Sequence, residues 1–224
     1  MWRQDDGCDG SVRHVSPRIV ILTKAPVPGR VKTRLAASIG TNQAARLHEE
    51  MVYETLRLAQ ATGLPVTVSL AGDERGDFAR LLEERGAAVE AQASGDLGNR
   101  LAHAMRAPGL SIALGTDCVV FAPEWLTALD RQSEDAFIGP SDDGGYWMIA
   151  LDGSVSVLRE AAFTGMPWST PDLYAETCRR LRSMSARFAE LPQAYDIDDI
   201  TDLRRLVEDP RCAEPLRATI RSLL

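Results

Sequence analysis

Residues 18–35 read RIVILTKAPVPGRVKTRL, an apolar run followed by a basic segment. The apolar run at residues 18–23 is short and is ended by two prolines and a glycine, which predicts a buried strand followed by a loop. Apolar positions then recur at helical spacing over residues 42–61, and a second apolar run follows at residues 64–70. A strand, a loop, a helix and a second strand in this order indicate a parallel pair joined by a right-handed crossover.

The rest of the chain continues the alternation of strand and helix patterns. Further strands are expected at residues 87–90, 110–114, 136–139, 146–151 and 188–191. Further helices are expected at residues 73–85, 99–107, 123–130, 155–162, 172–182, 199–208 and 214–224. The strands lie closer together in the second half, so one is expected to run antiparallel at or near an edge. The pattern predicts a single α/β domain over residues 18–224, preceded by a flexible tail at residues 1–17.

Composition and charge exclude several classes of protein. The chain has 224 residues, of which 45% are hydrophobic and 25% charged, as in ordinary soluble domains. Its net charge is −7, whereas proteins that bind nucleic acid usually carry a basic surface that neutralises phosphates. No apolar run reaches the length of a membrane span, and the first residues lack the pattern of a secretory signal. The four cysteines form no CxxC pair, which argues against a zinc site and a disulfide framework, so we expect a reduced, cytoplasmic protein.

The loop after the first strand concentrates positive charge in an acidic protein. Lys24, Arg30, Lys32 and Arg34 fall within eleven residues, among prolines and a glycine that fix the backbone. In open α/β sheets, ligands bind beyond the carboxyl ends of the strands. Fixed cations and backbone N–H groups are what phosphate oxygens require. The spacing matches neither a Walker A loop nor GxGxxG, and a solvated basic loop is an equally weighted alternative.

Asp117 follows the buried strand at residues 110–114, within the sequence GTDC. A carboxylate at this edge of the sheet can take one coordination position of Mg²⁺, which prefers carboxylates, water and substrate phosphates. The alternative is that Asp117 caps a turn or the next helix, which is a common role of Asp.

The late stretch at residues 196–202, DIDDITD, offers two more carboxylates. In an extended segment Asp196 and Asp198 share one face, because strand side chains alternate. Two like charges on one face are costly unless a cation or hydrogen-bond donors meet them, which favours a bound metal ion. The competing interpretation makes Asp198 or Asp199 the N-cap of the following helix, and both can hold together.

The segment at residues 140–146, PSDDGGY, has the residues of a tight turn between two strands. Most such turns only reverse the chain, but this one also bares backbone N–H groups to which a ligand can come close. No histidine has a partner that suggests a catalytic pair, and His48 is expected to pack within its helix.

Five motifs in order resemble the DUF2064 family. They are KxPxPGxVKTRL at residues 24–35, GTDC at 115–118, GPSDDGGYW at 139–147, PWST at 167–170 and DIDD at 196–199. Members are usually described as glycosyltransferases associated with rSAM/selenodomain proteins or with arsenosugar biosynthesis. The family resembles nucleotide-diphospho-sugar transferases and is similar in layout to 2-phospholactate guanylyltransferases. This implies a GT-A fold, a Rossmann-like three-layer α/β/α sandwich with a mostly parallel mixed sheet.

The resemblance also implies roles for the residues of these motifs. The residues expected to hold the phosphates of a nucleotide are Lys24, Gly29, Lys32 and Arg34. Asp117 would be the metal-binding Asp of the fold, and Asp196 and Asp198 would complete a site for Mg²⁺ or Mn²⁺. The turn expected to line the acceptor or sugar side consists of Asp142, Asp143, Gly144 and Gly145. The chain departs from the family at Val119, where members commonly have Pro, and this loosens the turn after Asp117.

Residues and resemblance together predict a metal-dependent transferase with a nucleotide-activated donor, in which a glycosyl group passes to a small acceptor. Lys32 and Arg34, with the metal, would stabilise the departing diphosphate, and Lys32 and Asp117 would be the catalytic residues. Asp142 or Asp143 would be the base. One alternative is nucleotidylyl transfer, in which a phosphorylated substrate attacks a nucleoside triphosphate and pyrophosphate leaves. Another is a non-catalytic nucleotide-binding module on the same fold.

Overall fold

The computed structural model describes residues 16–73, 75–130, 132–153 and 155–224, so most of the predicted tail at 1–17 lies outside it. The described strands form one sheet and are β1 (Arg18–Lys24), β2 (Val66–Ala71), β3 (Ala88–Ala91), β4 (Leu110–Leu114), β5 (Ala136–Pro140), β6 (Tyr146–Asp152) and β7 (Phe188–Glu190). Their order across the sheet is β3-β2-β1-β4-β6-β5-β7. Every described pairing is parallel except those of β6, which runs antiparallel to both β4 and β5.

Helices cover both faces of this sheet. They are α1 (Thr33–Ile39), α2 (Thr41–Gln60), α3 (Asp77–Glu84), α4 (Leu97–Ala104), α5 (Pro123–Thr127), α6 (Ser156–Phe163), α7 (Leu173–Ser183), α8 (Ile200–Glu208) and α9 (Glu214–Arg221). The larger apolar core joins one face of the sheet to α2, α3, α5, α8 and α9. The smaller core joins the other face to α4, α6 and α7. The predicted three-layer α/β/α sandwich with a mostly parallel mixed sheet is therefore confirmed.

The topology places a crevice between β1 and β4, which are parallel neighbours. The chain leaves β1 toward the face that carries α2, whereas the crossover from β3 into β4 passes over the opposite face through α4. Loops that diverge from adjacent strands in this way leave an opening beyond the carboxyl ends of the strands. The loop at residues 25–32 and the turn at residues 115–118 both lie at this opening.

Two features differ from the sequence-based expectation. The antiparallel strand β6 lies inside the sheet rather than at or near an edge, and the side chains of Trp147 to Leu151 are buried there. The helix α1 was also not among the helices expected from the sequence. It has seven residues and buries only Leu35, so it is too short to show a helical period in the sequence. None of the described helices has both the length and the apolar character needed to cross a membrane.

Candidate functional site

Lys32 is the centre of the candidate site. It caps the start of α1 in a left-handed backbone conformation, with φ 46° and ψ 46°. This turns its side chain inward, where only 4% of it is exposed. Its Nζ lies 2.5 Å from Asp117 Oδ1 and donates a 2.5 Å hydrogen bond to the Ile197 carbonyl. Asp198 Oδ1 lies farther from the Lys32 Nζ, at 3.9 Å. One lysine therefore joins the loop after β1, the turn after β4 and the segment before α8.

Asp117 lies in the turn just after β4, as predicted, and its side chain is 53% exposed. The Ile197 N–H donates to its carbonyl oxygen at 2.9 Å, which fixes the turn against the late acidic segment. Desolvation acts to raise the pKa of Asp117, but the Lys32 ammonium outweighs it and the pKa is lowered overall. Asp117 is therefore a carboxylate at neutral pH, with its second oxygen free of any ion pair among the described residues.

Asp196 and Asp198 differ in environment. Burial, together with the negative charges of Asp117 and Asp143, raises the pKa of Asp196 to about 7, although the Lys32 ammonium acts to lower it. Asp198 is half-exposed and faces Arg34, whose Nη1 lies 3.4 Å from its Oδ2. The negative charge around Asp196 is thus only partly compensated by the protein. The N-cap interpretation holds at the next residue, because Asp199 accepts from two backbone N–H groups at the start of α8.

A cavity of about 440 Å³ opens above these residues at the carboxyl edge of the sheet. The predicted site residues on its wall are Lys24, Arg30, Lys32, Asp117 and Asp196. Gly29, Arg34, Asp198 and the turn at residues 142–145 do not line it. Arg34 points into solvent, with 79% of its side chain exposed. Neither Lys24 nor Arg30 has a salt bridge with a described carboxylate, so the wall carries two cations that this part of the chain does not pair.

His48 contributes a buried polar link that the sequence pattern did not indicate. It lies in α2, is 5% exposed and also lines the cavity. Its Nε2 donates to the Lys24 carbonyl at 3.0 Å and lies 3.4 Å from Thr23 Oγ1, which is 3.3 Å from Thr116 Oγ1. Because a carbonyl can only accept, Nε2 carries the proton, and Nδ1 is buried without a hydrogen-bond partner among the described residues. Desolvation lowers the pKa of His48, so the ring is neutral at pH 7.

The turn at residues 142–145 lies beside the cavity, and its two aspartates have different partners. Asp142 Oδ2 accepts from Arg205 Nη1 at 2.6 Å, and the Arg205 guanidinium stacks 3.6 Å from the centre of the Tyr195 ring. Asp143 accepts from the Gly145 N–H at 2.9 Å and has no described cationic partner. The charge of Asp143 also raises the pKa of Asp196, so Asp143 acts electrostatically on the acidic end of the cavity.

The described residues do not include a group of three acidic, histidine or cysteine side chains close enough to hold a metal ion. The predicted set of Asp117, Asp196 and Asp198 is not gathered, because the Lys32 ammonium lies between Asp117 and Asp198. Asp117 and Asp196 remain a suitable pair of oxygen donors, with excess negative charge and access to the cavity. Magnesium is commonly held by one or two carboxylates, water and substrate phosphates, and these two residues fit that pattern.

The fold has clear relatives among solved structures. A structure from Desulfovibrio desulfuricans G20, provisionally described as a nucleotide-diphospho-sugar transferase, is 27% identical, covers 92% of this chain and 94% of its own, and superposes with a TM-score of 0.81. The inositol-1-phosphate CTP transferase from T. maritima shares the fold at 14% identity and a TM-score of 0.57, over 94% of this chain and 97% of its own. Rv0371C from Mycobacterium tuberculosis H37Rv, in complex with manganese, shares it at 18% identity and a TM-score of 0.53, over 87% of this chain and all of its own.

Sequence comparison gives the family. No curated protein matches the chain. The model of DUF2064, described as an uncharacterised protein conserved in bacteria, matches residues 55–170. The matched region contains the turn with Asp117, the DDGG turn and the PWST loop. It covers more than half of the sequence, and the chain therefore belongs to the DUF2064 family.

Proposed function

We propose that the chain is a nucleotide-dependent transferase, and that it transfers a glycosyl group from a nucleotide-sugar to a small acceptor. One observation carries the proposal. In a protein of net charge −7, the cavity at the carboxyl edge gathers Lys24, Arg30 and Lys32 beside the carboxylate of Asp117. A diphosphate needs fixed cations, and its bound metal needs oxygen donors. The D. desulfuricans structure, which is 27% identical and provisionally described as a nucleotide-diphospho-sugar transferase, supports the proposal of glycosyl transfer.

The three cations have different parts in binding. Lys24 and Arg30 have no described carboxylate partner, so they can neutralise phosphate oxygens without first breaking an ion pair. Lys32 is held in place by Asp117 and the Ile197 carbonyl. An ammonium group has three donors, so one remains for a phosphate oxygen at a fixed position. Such a preorganised donor stabilises the charge that develops on the departing diphosphate.

Asp117 and Asp196 would hold the divalent cation, Mg²⁺ or Mn²⁺, which when bound neutralises phosphate charge and assists departure of the diphosphate. Asp143 is the better candidate for the base that accepts the acceptor's proton, because Asp142 is engaged by Arg205. Nucleotidylyl transfer to a phosphorylated substrate is the second candidate, because the same cations would stabilise a departing pyrophosphate. The fold shared with the T. maritima CTP transferase supports it.

A thermal-shift screen of nucleotides and nucleotide-sugars, each with and without Mg²⁺, tests the proposal. A ligand that binds only the folded state raises the melting temperature by mass action. Hits are then incubated with candidate acceptors, and the products are identified. A released nucleoside diphosphate supports glycosyl transfer, and released pyrophosphate supports nucleotidylyl transfer. Binding without turnover points to a nucleotide-binding module, and no shift with any nucleotide contradicts the proposal.

A further inference from the structure

Arg100 is a cation of the cavity that the proposed phosphate site does not use. It lies in α4, on the face of the sheet opposite to α2, and lines the cavity together with Gln92. Its Nε donates to the Gly95 carbonyl at 3.0 Å and its Nη1 donates to Gln92 Oε1 at 3.3 Å. Both partners are uncharged. No described carboxylate forms a salt bridge with Arg100, so its charge is oriented but not neutralised by that part of the chain.

The two partners of Arg100 are themselves fixed. Gln92 Nε2 donates to the Ser69 carbonyl at 3.0 Å, and the Gln92 N–H donates to the Leu70 carbonyl at 2.8 Å. This attaches the amide to β2. Gly95 has a φ of 103°, in the left-handed region that favours glycine, just before Asp96 caps the start of α4. The guanidinium is thereby held from two sides, and its Nη2 has no hydrogen-bond partner among the described residues.

Two leucines lie close to Arg100 on the cavity wall. Leu97 and Leu101 lie one turn apart on the same face of α4, both line the cavity, and Leu97 is 41% exposed. Exposed leucine next to an oriented guanidinium is a poor environment for a second phosphate, which binds best to several charged or polar donors. It suits a flat, largely apolar ring with hydrogen-bond acceptors on its edge. A nucleobase has this chemistry.

We infer that Arg100 determines base specificity, and that the cavity selects nucleotides whose base presents oxo acceptors, as guanine and uracil do, over those with adenine. This inference rests on the proposed nucleotide-binding function. Arg100 offers only donors. Guanine O6 and uracil O4 are acceptors, whereas adenine carries an amino group, which is also a donor, at the position of O6 and leaves only its ring nitrogens to accept. An oxo base instead places a carbonyl oxygen where the guanidinium can donate to it.

The test compares the dissociation constants of GDP, UDP and ADP by calorimetry in Mg²⁺, for the wild type and three variants. GDP and ADP are of equal charge and nearly equal size, so their ratio isolates the chemistry of the base edge. The wild type should bind GDP and UDP about tenfold or more tighter than ADP, and Arg100→Gln should reduce this preference to about threefold or less by weakening GDP and UDP. Arg100→Lys keeps the charge without the planar pair of donors and should lose the preference as well.

Arg106→Gln is the matched control. Arg106 lies just after α4, outside the cavity wall, with its Nη2 3.9 Å from Glu90 Oε2, and its loss should leave the preference unchanged. Equal binding of GDP and ADP by the wild type would overturn the inference and leave the proposed function intact. An equal loss of affinity for all three ligands in Arg100→Gln, with affinity kept in Arg100→Lys, would also overturn it, because Arg100 would then bind phosphate. If none of the three nucleotides binds, the inference fails, and the wider thermal-shift screen of nucleotides and nucleotide-sugars decides separately whether the proposed function stands.

Discussion

The Nζ atom of Lys32 lies 2.5 Å from Asp117 Oδ1 and is almost completely buried. This ion pair joins the basic loop after β1 to the acidic turn after β4. It places the two charges that a metal-nucleotide complex would meet side by side on the cavity wall, and the second oxygen of Asp117 has no ion pair among the described residues.

Lys32→Ala should weaken nucleotide binding strongly, and Arg34→Ala should weaken it little. Lys32 is buried and lines the cavity, whereas Arg34 is 79% exposed and pairs with Asp198 outside it. Loss of a charge-assisted hydrogen bond costs about 1.5–3 kcal/mol, which is roughly a 10- to 100-fold change in affinity. Calorimetry on both variants, with the nucleotide identified by the screen, measures this. Equal, small effects would remove Lys32 from the phosphate site.

Asp117→Asn should abolish metal-dependent turnover and leave the fold intact. The amide keeps the shape of the side chain but lacks the charge that a divalent cation requires. The measurement is the rate of product formation against Mg²⁺ concentration, with circular dichroism as the check on folding. Wild-type turnover in the variant would make Asp117 a residue of the turn only.

Asp196 should make the protein less stable as the pH rises from about 4 to about 7. Its folded pKa is raised to about 7 from an ordinary value of 3.8, so the unfolded chain loses this proton first. Between the two values the folded state binds more protons, and each pH unit lowers the free energy of unfolding by up to about 1.4 kcal/mol. Below pH 3.8 and above pH 7, the contribution of Asp196 to the free energy of unfolding no longer changes with pH.

Urea denaturation of the wild type and of Asp196→Asn at pH 5.0 and pH 7.5 checks this. The loss of stability between the two pH values should be larger in the wild type than in the variant, by about 1 kcal/mol or more. An identical loss in both proteins would show that Asp196 ionises at its ordinary pKa.

His48→Ala should lower both the melting temperature and nucleotide affinity, and His48→Gln should retain more of each. The ring donates to the Lys24 carbonyl and fills buried space beside Thr23. Alanine removes the donor and leaves a cavity, at a cost of about 2–4 kcal/mol, whereas the glutamine amide can supply a donor in the place of Nε2. Thermal unfolding and calorimetry on both variants test the order. No advantage of glutamine over alanine would reduce His48 to a packing residue.

Gly144→Ala should destabilise the protein more than Gly40→Ala. Both glycines have nearly the same positive φ, 87° and 84°, so each substitution introduces a similar strain in φ. An added Cβ at Gly144 would overlap the Pro171 carbonyl, whereas at Gly40 it would meet open space. The difference in the free energy of unfolding, about 1–3 kcal/mol, therefore measures the packing of the DDGG turn on the loop that contains Pro171. Equal effects would mean that the two loops separate easily.

The sequence predicted well those features that depend on local patterns. The apolar runs of β1 and β4, the long amphipathic α2 and the positions of Lys32 and Asp117 after their strands followed from spacing alone. A strand buried on both faces gives the same pattern at the edge or inside the sheet, so the central place of β6 was not available from the sequence. The helix α1 was missed because it is too short to show the helical spacing of apolar residues.

The site needed the tertiary structure. Arg34 and Lys32 look equivalent in the sequence, but the left-handed backbone of Lys32 directs it inward and leaves Arg34 in solvent. Asp142 and Asp143 are neighbours, and only the position of Arg205 on α8 distinguishes them. Nothing in the sequence near Arg100 indicates a ligand. Its significance comes from lying across the cavity from the basic loop, with uncharged partners.

The hydrogen bond from Lys32 to the Ile197 carbonyl spans 165 residues of chain. During synthesis the basic loop leaves the ribosome long before its partner exists, by about 10–30 s at 5–20 residues per second. The nascent chain can form β1, α2 and β2 in that time, but the end of the cavity around Lys32 cannot close. The proposed ligand site is therefore complete only when the segment with Asp196 and Ile197 has been made, and a chain that ended before it would leave Lys32 paired with Asp117 alone.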